Sequence, residues 1–458
     1  MNRYNVNVDI KNKPVLDPEF TPLLKFNQAF LAGAKKPISI AVERADKQMA
    51  TTHTYIHGTP EMAAADNYYI DRLVKTLLWM KGGFRVYVTD KEVYDYLNSV
   101  YCQGGAREFD WDYMANVFEN PFEIVLCDKV PDNMDIPVPI GGHLEGCRIG
   151  FDAGGSDRKV SAVIDGETVY SEEVLWYPKV TADPDYHYDG IVSAFKSAAS
   201  HMPRVDAVGI SSAGVFINNR TAAASLFLAV PKDLFDAKVK DIYIRAVKDT
   251  FGDVPYAVAN DGDVSALAGT MSLNDNNVLG IAMGTSEAVG YIDDKGNVTG
   301  WLNELAFCPV DANPEAMQDE WSGDIGTGCK YFSQDGVIKL APRAGIELDL
   351  TEPPAHNLKK VQQLMEADDP RAAQVFHDIG VYLGHTLAYY YDCYGFKYVL
   401  LLGRVMSGKG GDLLLDTCKK VLEEEYPDVN EAIRLTLPDE KFRRVGQSMA
   451  AASLAASK

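Results

Sequence analysis

Residues 149–166, IGFDAGGSDRKVSAVIDG, decide how the chain is expected to fold. An apolar strand leads into Asp152 and the glycine pair Gly154-Gly155, and a second strand follows at once. The dipeptide Asp165-Gly166 then separates two stretches of alternating apolar and polar residues, which is typical of a two-residue β-hairpin turn. Glycine turns after strands let backbone N–H groups approach anionic oxygens without a side chain in the way. The stretch therefore predicts a hairpin whose preceding glycine turn is suited to phosphate.

A second block, LGIAMGTS at 279–286, resembles the first and is also an apolar strand that ends in a small turn. At a constant offset of 130 residues, four pairs of identical residues match: Gly150 with Gly280, Gly154 with Gly284, Ser156 with Ser286, and Gly166 with Gly296. This repetition predicts two similar lobes, with Gly284-Thr285 as a second phosphate turn. For either turn alone, the alternative is that glycine only makes a tight hairpin, because no GK[ST] follows.

Two aspartates follow strands in positions that suit phosphate chemistry. Asp152 ends a strand, where a carboxylate is expected to hold Mg²⁺ against phosphate oxygens; the alternative is a turn or capping aspartate. Asp261 lies in VPYAVANDGDVSALAG (254–269) at the carboxyl end of another strand, where open α/β sheets bind ligands. It is a candidate general base for a substrate hydroxyl. The alternative is a helix N-cap, a role that Asp263 or Asn260 could also fill.

The rest of the chain alternates strands with helices, which indicates an α/β fold. The first part has predicted strands at 38–45, 84–89 and 122–128, a predicted helix at 63–80, and then a segment rich in proline and glycine at 130–146. Such a segment is typical of an interdomain linker. The expected division is an accessory α/β domain of unassigned role at 1–145, a first lobe at 146–258 and a second lobe at 259–458.

Composition excludes several classes of protein. The 458 residues are 47% apolar and 24% charged, which is typical of a globular protein. The 44 basic and 65 acidic residues give a net charge of −21, which disfavours binding to nucleic acid. No apolar run approaches the roughly 20 residues of a membrane helix, and MNRYNVNVDIKNK lacks the apolar stretch of a signal peptide. The seven cysteines contain no CxxC pair, which argues against a disulfide framework and a thiolate zinc site. We expect a cytoplasmic protein without nucleic-acid or membrane partners.

Taken together, the blocks resemble the ROK family, which contains sugar kinases and sugar-responsive repressors on the actin-like ATPase fold. The resemblance covers residues 146–458 in family order. GFDAGGSDRKVSAVIDGE and GIAMGTSEAVGYI look like the two phosphate loops, and VGISSAGVF is similar to the family's GxPG-type turn, with Ala213 in place of proline. VANDGDVSALAG is similar to the segment that supplies the catalytic aspartate. VYLGHTLAYYYDCYGFKYVLLLGRVMSGKGGDLLL resembles the long helix, the strand and the glycine turn on the adenosine side.

The resemblance implies a two-lobed actin-like ATPase (ribonuclease H-like) α/β fold, here with an extra N-terminal α/β domain. By match, Asp261 becomes the catalytic base, and Asp152, at the end of the strand before the first phosphate loop, remains the residue expected to hold Mg²⁺. The residues expected to bind ATP are Gly154, Gly155, Ser156, Gly284, Thr285, Gly403, Gly408 and Gly411. Asn260 and Glu304 are expected to bind the sugar substrate. A homodimer is implied by the family alone.

The chain also departs from the family pattern. NELAF (303–307) takes the place of the family's sugar-binding GEIGH block, so Phe307 replaces a histidine while Glu304 remains. The family's CxCGxxGCxE zinc motif is missing, so no structural zinc is expected. Glu287 places a carboxylate in the second phosphate loop, where it would repel phosphate if it faced the ligand. Alternation along the strand would instead point it away.

The expected function is ATP- and Mg²⁺-dependent phosphorylation of a hydroxyl on a hexose-like sugar. The alternative is a non-catalytic sensor that binds a sugar or nucleotide without turnover. A repressor is disfavoured because residues 1–145 hold 15 basic and 20 acidic residues, net −5, and show no basic recognition helix. A dinucleotide oxidoreductase is disfavoured because the GxGxxG turn is missing.

Overall fold

The structure, a computed structural model, describes residues 1–137 and 141–456, with the backbone alone for 440–445. Part of the linker expected at 130–146, namely 138–140, lies outside the described residues. The strands are β1 (Asn2–Arg3), β2 (Val6–Asn7), β3 (Lys36–Glu43), β4 (Met49–Ile56), β5 (Arg85–Val88), β6 (Glu123–Leu126), β7 (Cys147–Ala153), β8 (Asp157–Ile164), β9 (Glu167–Leu175), β10 (Ala207–Ser212), β11 (Val215–Ile217), β12 (Arg220–Ala223), β13 (Tyr256–Asn260), β14 (Val278–Met283), β15 (Glu287–Ile292), β16 (Tyr398–Leu402) and β17 (Arg434–Thr436). The α-helices are α1 (Leu23–Leu31), α2 (Ala63–Lys81), α3 (Lys91–Val100), α4 (Glu108–Phe118), α5 (Pro184–Ala199), α6 (Lys232–Leu234), α7 (Ile242–Phe251), α8 (Asp261–Leu273), α9 (Gln334–Leu340), α10 (Pro354–Glu366), α11 (Pro370–Tyr394), α12 (Gly408–Glu425), α13 (Pro427–Ala432) and α14 (Glu440–Ala452).

The chain forms two compact units that do not follow chain order. The first unit comprises Met1–Asp135, Ile281–Val289 and Trp301–Leu435, and the second comprises Ile136–Gly280, Gly290–Gly300 and Thr436–Lys458. The first crossing between them falls within the proline-rich segment at 130–146. The boundaries differ from the three segments expected from the sequence, because the first 135 residues share a compact unit with residues 301–435.

The second unit contains a five-stranded sheet in the order β13-β10-β7-β8-β9. Strand β10 is parallel to both β7 and β13, while β7, β8 and β9 are antiparallel neighbours. The hairpin between β8 and β9 turns at Asp165 and Gly166. Their φ angles of 48° and 83° are positive, a conformation that aspartate and glycine adopt more readily than most residues. The predicted hairpin is therefore confirmed, and the sheet places the carboxyl ends of three parallel strands side by side.

The two faces of this sheet are packed by different kinds of residue. Side chains alternate along each strand, so Phe151 and Ile210 face a core of large apolar residues that also contains Phe195 of α5. The opposite face has small residues, among them Gly150, Gly209 and Ala259, where α14 packs on it. A Cβ built on Gly150 or Gly209 would lie 1.6 Å from a carbonyl oxygen of the C-terminal helical segment. Small residues are therefore required wherever a helix backbone lies against the sheet.

In the first unit, an N-terminal sheet has the order β4-β3-β5-β6, in which β3 is antiparallel to β4 and β5 and β5 is parallel to β6. The strands predicted at 38–45, 84–89 and 122–128 and the helix predicted at 63–80 are present as β3, β5, β6 and α2. Strand β4 was missed because MATTHTYI lacks apolar alternation.

A buried group of charged residues joins α2 to a distant part of the first unit. Arg72 Nη1 lies 2.9 Å from Asp324, Arg107 Nη1 lies 2.8 Å from the same carboxylate, and Lys75 Nζ lies 2.7 Å from Asp110. Backbone bonds add to this contact, since the Asn303 amide donates to the Met80 carbonyl oxygen. The N-terminal segment is thus built into this unit through internal ion pairs.

The same unit contains the sheet β15-β14-β16-β17, whose first two strands also contribute residues to the second unit. Long helices α11 and α12 approach each other closely at Gly380, where a Cβ would lie 2.6 Å from the Leu414 carbonyl oxygen. Within the described ranges 1–137 and 141–456, no helix has the length and apolar character needed to cross a bilayer.

Candidate active site

Two carboxylates of the second unit interact at the carboxyl edge of its sheet. Asp152 on β7 is in register with Ser211 on β10, and Ser211 is in register with Ala259 on β13. Asp261 follows β13 directly as the first residue of α8. Asp152 is only 7% exposed. Burial raises the pKa of Asp152 to about 6, and the negative charge of Asp261 contributes to that rise.

The helix cap next to Asp261 is made by its neighbour. Asn260 Oδ1 accepts a 2.7 Å bond from the Gly262 amide, and its Nδ2 donates a 2.7 Å bond to the Gly214 carbonyl oxygen. Asp263 accepts from the Tyr291 amide at 3.1 Å. Asp261 is therefore not the capping residue. Asn260 was predicted to bind substrate. Both polar atoms of its side-chain amide are hydrogen-bonded within the protein, so Asn260 stabilises the turn that precedes Asp261.

The Asp261 carboxyl is half-buried and has few partners. Its Oδ1 accepts from the Gly262 amide at 3.0 Å, and the carboxyl forms no ion pair with any residue that the structure describes. Burial raises the pKa of Asp261, while the Gly262 amide and the charge of Lys179 act in the opposite direction. A carboxylate with a raised pKa has the properties of a general base.

The first glycine turn, Gly154-Gly155-Ser156, joins β7 to β8. The Gly154 carbonyl oxygen accepts a 2.7 Å bond from the indole Nε1 of Trp176. A Cβ built on Gly155 would lie 2.8 Å from Cε and 3.1 Å from Nζ of Lys179. The turn therefore has a lysine beside it that the sequence did not reveal, because Lys179 follows in a separate segment with no motif of its own.

The second glycine turn, Gly284-Thr285-Ser286, belongs to the first unit. The Gly284 amide donates to the Ser286 carbonyl oxygen at 3.0 Å, and its own carbonyl oxygen accepts from Gln334. Thr285 and Ser286 are exposed. Gly403, with φ 95°, lies against the end of β14, since a Cβ there would be 2.3 Å from the Met283 carbonyl oxygen. The fold therefore brings Gly403 next to the second glycine turn.

Gly408 and Gly411 lie in the first turn of α12. A Cβ on Gly408 would meet Glu366 Oε1 at 2.3 Å, and the same oxygen accepts from the Lys409 amide at 2.9 Å. Gly411 is buried against the Met406 carbonyl oxygen, 2.1 Å from where its Cβ would be. The helix start is thus partly occupied by the Glu366 carboxylate, and Gly411 serves close packing.

The NELAF block is held against α2 in the first unit. The Glu304 amide donates to the Trp79 carbonyl oxygen at 2.9 Å. Phe307, in the position of the family histidine, is buried with its ring 4.4 Å from that of Trp79 and 5.6 Å from that of Trp321. The Trp321 ring is 65% exposed. An aromatic cluster therefore replaces the histidine of the resemblance, and part of it comes from the N-terminal segment.

Glu287 does not lie on the exposed part of the second glycine turn. Its side chain is 3% exposed, and Oε1 accepts from the Tyr390 hydroxyl at 3.4 Å. A Cβ built on Gly328 would be 2.1 Å from Oε2. Burial raises the pKa of Glu287 to about 8, with a further contribution from Glu304. Of the two orientations left open by the sequence, the structure has the inward one, because alternation in β15 turns this side chain into the core.

Two carboxylates on one edge suit a divalent cation, with Asp152 and Asp261 as the groups available. Over residues 1–137 and 141–456, no cluster of three or more His, Cys, Asp or Glu side chains has the arrangement of a metal site. A cation held here would therefore take most of its ligands from phosphate and water, as Mg²⁺ does with nucleotides.

Comparison with known proteins was informative only at the level of structure. No known family profile matches the sequence, and no curated protein matches it. The ROK hexokinase from Thermus thermophilus superposes with a TM-score of 0.53 at 18% identity, over 68% of this chain and 97% of that one. A ROK family transcriptional regulator, a homologue of the E. coli MLC protein, superposes with a TM-score of 0.51 at 16% identity, over 68% of this chain and 78% of that one.

These similarities show the fold. The chain has the two-lobed actin-like α/β fold of ROK proteins, so the fold class and the resemblance drawn from the sequence are confirmed at that level. The shared fold covers a kinase and a regulator alike, and the activity is inferred from the residues of the site.

Proposed function

We propose that this chain, which has the ROK fold, is an ATP- and Mg²⁺-dependent kinase that phosphorylates a hydroxyl of a hexose-like sugar. One observation carries the proposal: Asp261 is presented at the carboxyl edge of the sheet beside Asp152, while Asn260 takes over the helix cap. The alternative role for Asp261, that of the helix N-cap, is therefore filled by another residue. Ligands of open α/β sheets bind at this edge.

The chemical step is phosphoryl transfer with Asp261 as base. Its carboxylate accepts the proton of the sugar hydroxyl, the hydroxyl oxygen forms a bond to the γ-phosphorus of ATP, and the bond from that phosphorus to the β,γ-bridging oxygen breaks. The products are the sugar phosphate, ADP and a proton that Asp261 passes to solvent. A half-buried carboxylate with a raised pKa is a stronger proton acceptor than an exposed one.

Asp152 would hold Mg²⁺, directly or through water, and the cation would neutralise charge on the phosphate oxygens when bound. The chain's own contribution is positional. Asp152 is fixed in the middle of a sheet by pairing on both sides, to β8 and β10. The backbone of Gly154-Gly155-Ser156, in the same unit, would donate to phosphate oxygens.

Glu304 is the residue proposed to bind sugar hydroxyls, and the aromatic cluster with Phe307 and Trp321 supplies the apolar faces that sugar rings pack on. Residues of the N-terminal segment form part of that cluster, since Phe109 lies 5.7 Å from Phe307, ring to ring. The N-terminal segment is therefore proposed to shape the acceptor site.

The deciding experiment is a coupled ADP-release assay with Mg-ATP and a panel of hexoses, amino sugars and polyols. Wild type should turn over at least one sugar, and Asp261→Asn should lower kcat by about a thousandfold or more while ATP still binds. Asp185→Asn, which alters an exposed carboxylate of the same unit, is the matched control and should retain activity. An active Asp261→Asn protein would remove Asp261 as the base.

A sensor that binds sugar or nucleotide without turnover is the second candidate. It is favoured by the buried Phe307 at the family's histidine position and by a regulator with the same fold. Calorimetry together with the ADP-release assay distinguishes the sensor from the kinase. A sensor would bind its ligand in the calorimeter and form no ADP with any sugar of the panel.

A further inference from the structure

We propose that Lys179 is a phosphate-binding residue of this site, whose ammonium group contacts the phosphoryl group transferred from ATP. The inference rests on the proposed kinase function and adds a residue that no motif of the chain suggested. It also places a lysine beside the first glycine turn, where no GK[ST] motif follows the glycines.

The segment that carries Lys179 is attached to the first glycine turn. The backbone amide of Trp176 donates to the Ser156 carbonyl oxygen at 3.1 Å, and its indole Nε1 donates to the Gly154 carbonyl oxygen at 2.7 Å. The Pro178 carbonyl oxygen bonds to the ring of the buried His187 at 3.0 Å. The residues just before Lys179 are therefore held, so the fold places the lysine next to the turn.

Lys179 is exposed, yet it has no ion-pair partner within 4 Å among the residues that the structure describes. Its neighbour in the hairpin, Lys159, is by contrast near both Asp157 and Glu173 at 3.7 Å. An unpaired ammonium beside a glycine turn is available to an anionic ligand. A phosphate group is the anion that such a turn accepts.

The ammonium group of Lys179 lies beside the first glycine turn, and its charge acts on the base Asp261. Nζ lies 3.1 Å from where a Cβ of Gly155 would be, so any side chain at that position would meet the lysine. The charge also reaches Asp261, whose pKa it lowers. A phosphoryl group moving from ATP to a hydroxyl held by Asp261 would pass this region, where a fixed cation stabilises developing negative charge.

The test measures binding, so that it does not depend on turnover. Mg²⁺ complexes of ADP and of AMPPNP, an ATP analogue that resists hydrolysis, are titrated into wild type, Lys179→Ala, Lys179→Arg and Lys232→Ala. Lys232 is an exposed, ion-paired lysine of the same unit and serves as the control. Loss of Lys179 should weaken AMPPNP about tenfold to hundredfold, the range of one hydrogen bond to a charged group. ADP affinity should change by less than about twofold, as in the control.

A second readout separates contact with phosphate from a structural role. Lys179→Arg keeps the positive charge and should retain most of the AMPPNP affinity that Lys179→Ala loses, whereas a purely structural role would weaken AMPPNP and ADP alike. Equal loss of ADP and AMPPNP affinity, or unchanged AMPPNP affinity, would overturn the proposal. Selective loss of AMPPNP affinity with no turnover on any sugar would support the phosphate contact while the kinase function itself failed.

Discussion

The carbonyl oxygen of Ser448 lies directly over Gly150, so close that a Cβ on this glycine would be 1.6 Å from it. Gly150 precedes Phe151 and Asp152 on the central strand β7, which brings the backbone of the C-terminal helix into contact with the strand that carries the site. The glycine that the sequence suggested as part of an internal repeat is thus also a packing requirement.

Gly150→Ala should therefore destabilise the protein by about 3 kcal/mol or more, because backbone and not a movable side chain occupies the space. Urea unfolding would measure it. Gly280→Ala is the matched control on strand β14, where a Cβ would be at an ordinary 3.5 Å from Ala266. That variant should change the free energy of unfolding by no more than about 1 kcal/mol. Equal effects of the two substitutions would contradict the packing argument.

Asp152 should cost the protein stability at neutral pH. Its pKa is raised to about 6 in the folded state, against about 3.9 for an ordinary aspartate, so the folded state binds the extra proton between these values. The free energy of unfolding then falls as pH rises from about 4 to 6. Asp152→Asn should raise it by up to about 3 kcal/mol at pH 7, and by little at pH 4.

The same variant should use Mg-ATP poorly, because it lacks the carboxylate proposed to hold the cation. Urea unfolding at pH 4 and pH 7 checks the predicted gain in stability. The Mg²⁺ dependence of activity checks the predicted loss of metal binding. An Asp152→Asn protein with unchanged metal dependence would end the Mg²⁺ assignment.

Glu287 should produce a second pH dependence at higher pH. Burial raises its pKa to about 8, so the folded protein holds this proton where an unfolded chain has lost it. Its contribution to the free energy of unfolding falls as pH rises from about 4.5 to 8, by at most roughly 5 kcal/mol. Glu287→Gln should remove that loss, so its advantage over wild type should grow between pH 5 and pH 9 in urea titrations. A constant difference would show that Glu287 is ionised in the folded state.

Asp324 should be essential to the first unit. It accepts ion pairs from Arg72 and Arg107, and Lys75 lies 3.3 Å away. Asp324→Asn should remove a carboxylate that these buried cations share, leave their charge incompletely balanced and cost about 3 kcal/mol.

The control for that change is Asp95→Asn, which removes an exposed helical pair with Lys91 and should cost about 0.5 kcal/mol or less. Chemical unfolding followed by tryptophan fluorescence suits this unit, since Trp79 is buried beside the charged group. A stable Asp324→Asn protein would show that the N-terminal segment does not depend on this network.

The sequence by itself determined the features that local chemistry controls. The turn at Asp165-Gly166 follows from the positive φ angles that these two residues tolerate, and helix α2 follows from apolar residues at helical spacing. Asp152 and Asp261 were found for the same reason: each comes at the end of an apolar strand, and strand ends meet at one edge of a parallel sheet.

Tertiary structure alone decided the remaining features, because they depend on residues far apart in the chain. The residues around Gly155 give no sign that Lys179 lies beside it, and those around Glu287 give no sign of Tyr390. The sequence of residues 1–135 likewise does not predict that Arg72 pairs with Asp324. Asn260 is the intermediate case: its type and place predicted a polar role at the site, and only its bond to the Gly214 carbonyl oxygen showed that it holds the turn. Long-range packing determines which side chains contact each other. The distances between residues far apart in the chain cannot be inferred from the local sequence pattern.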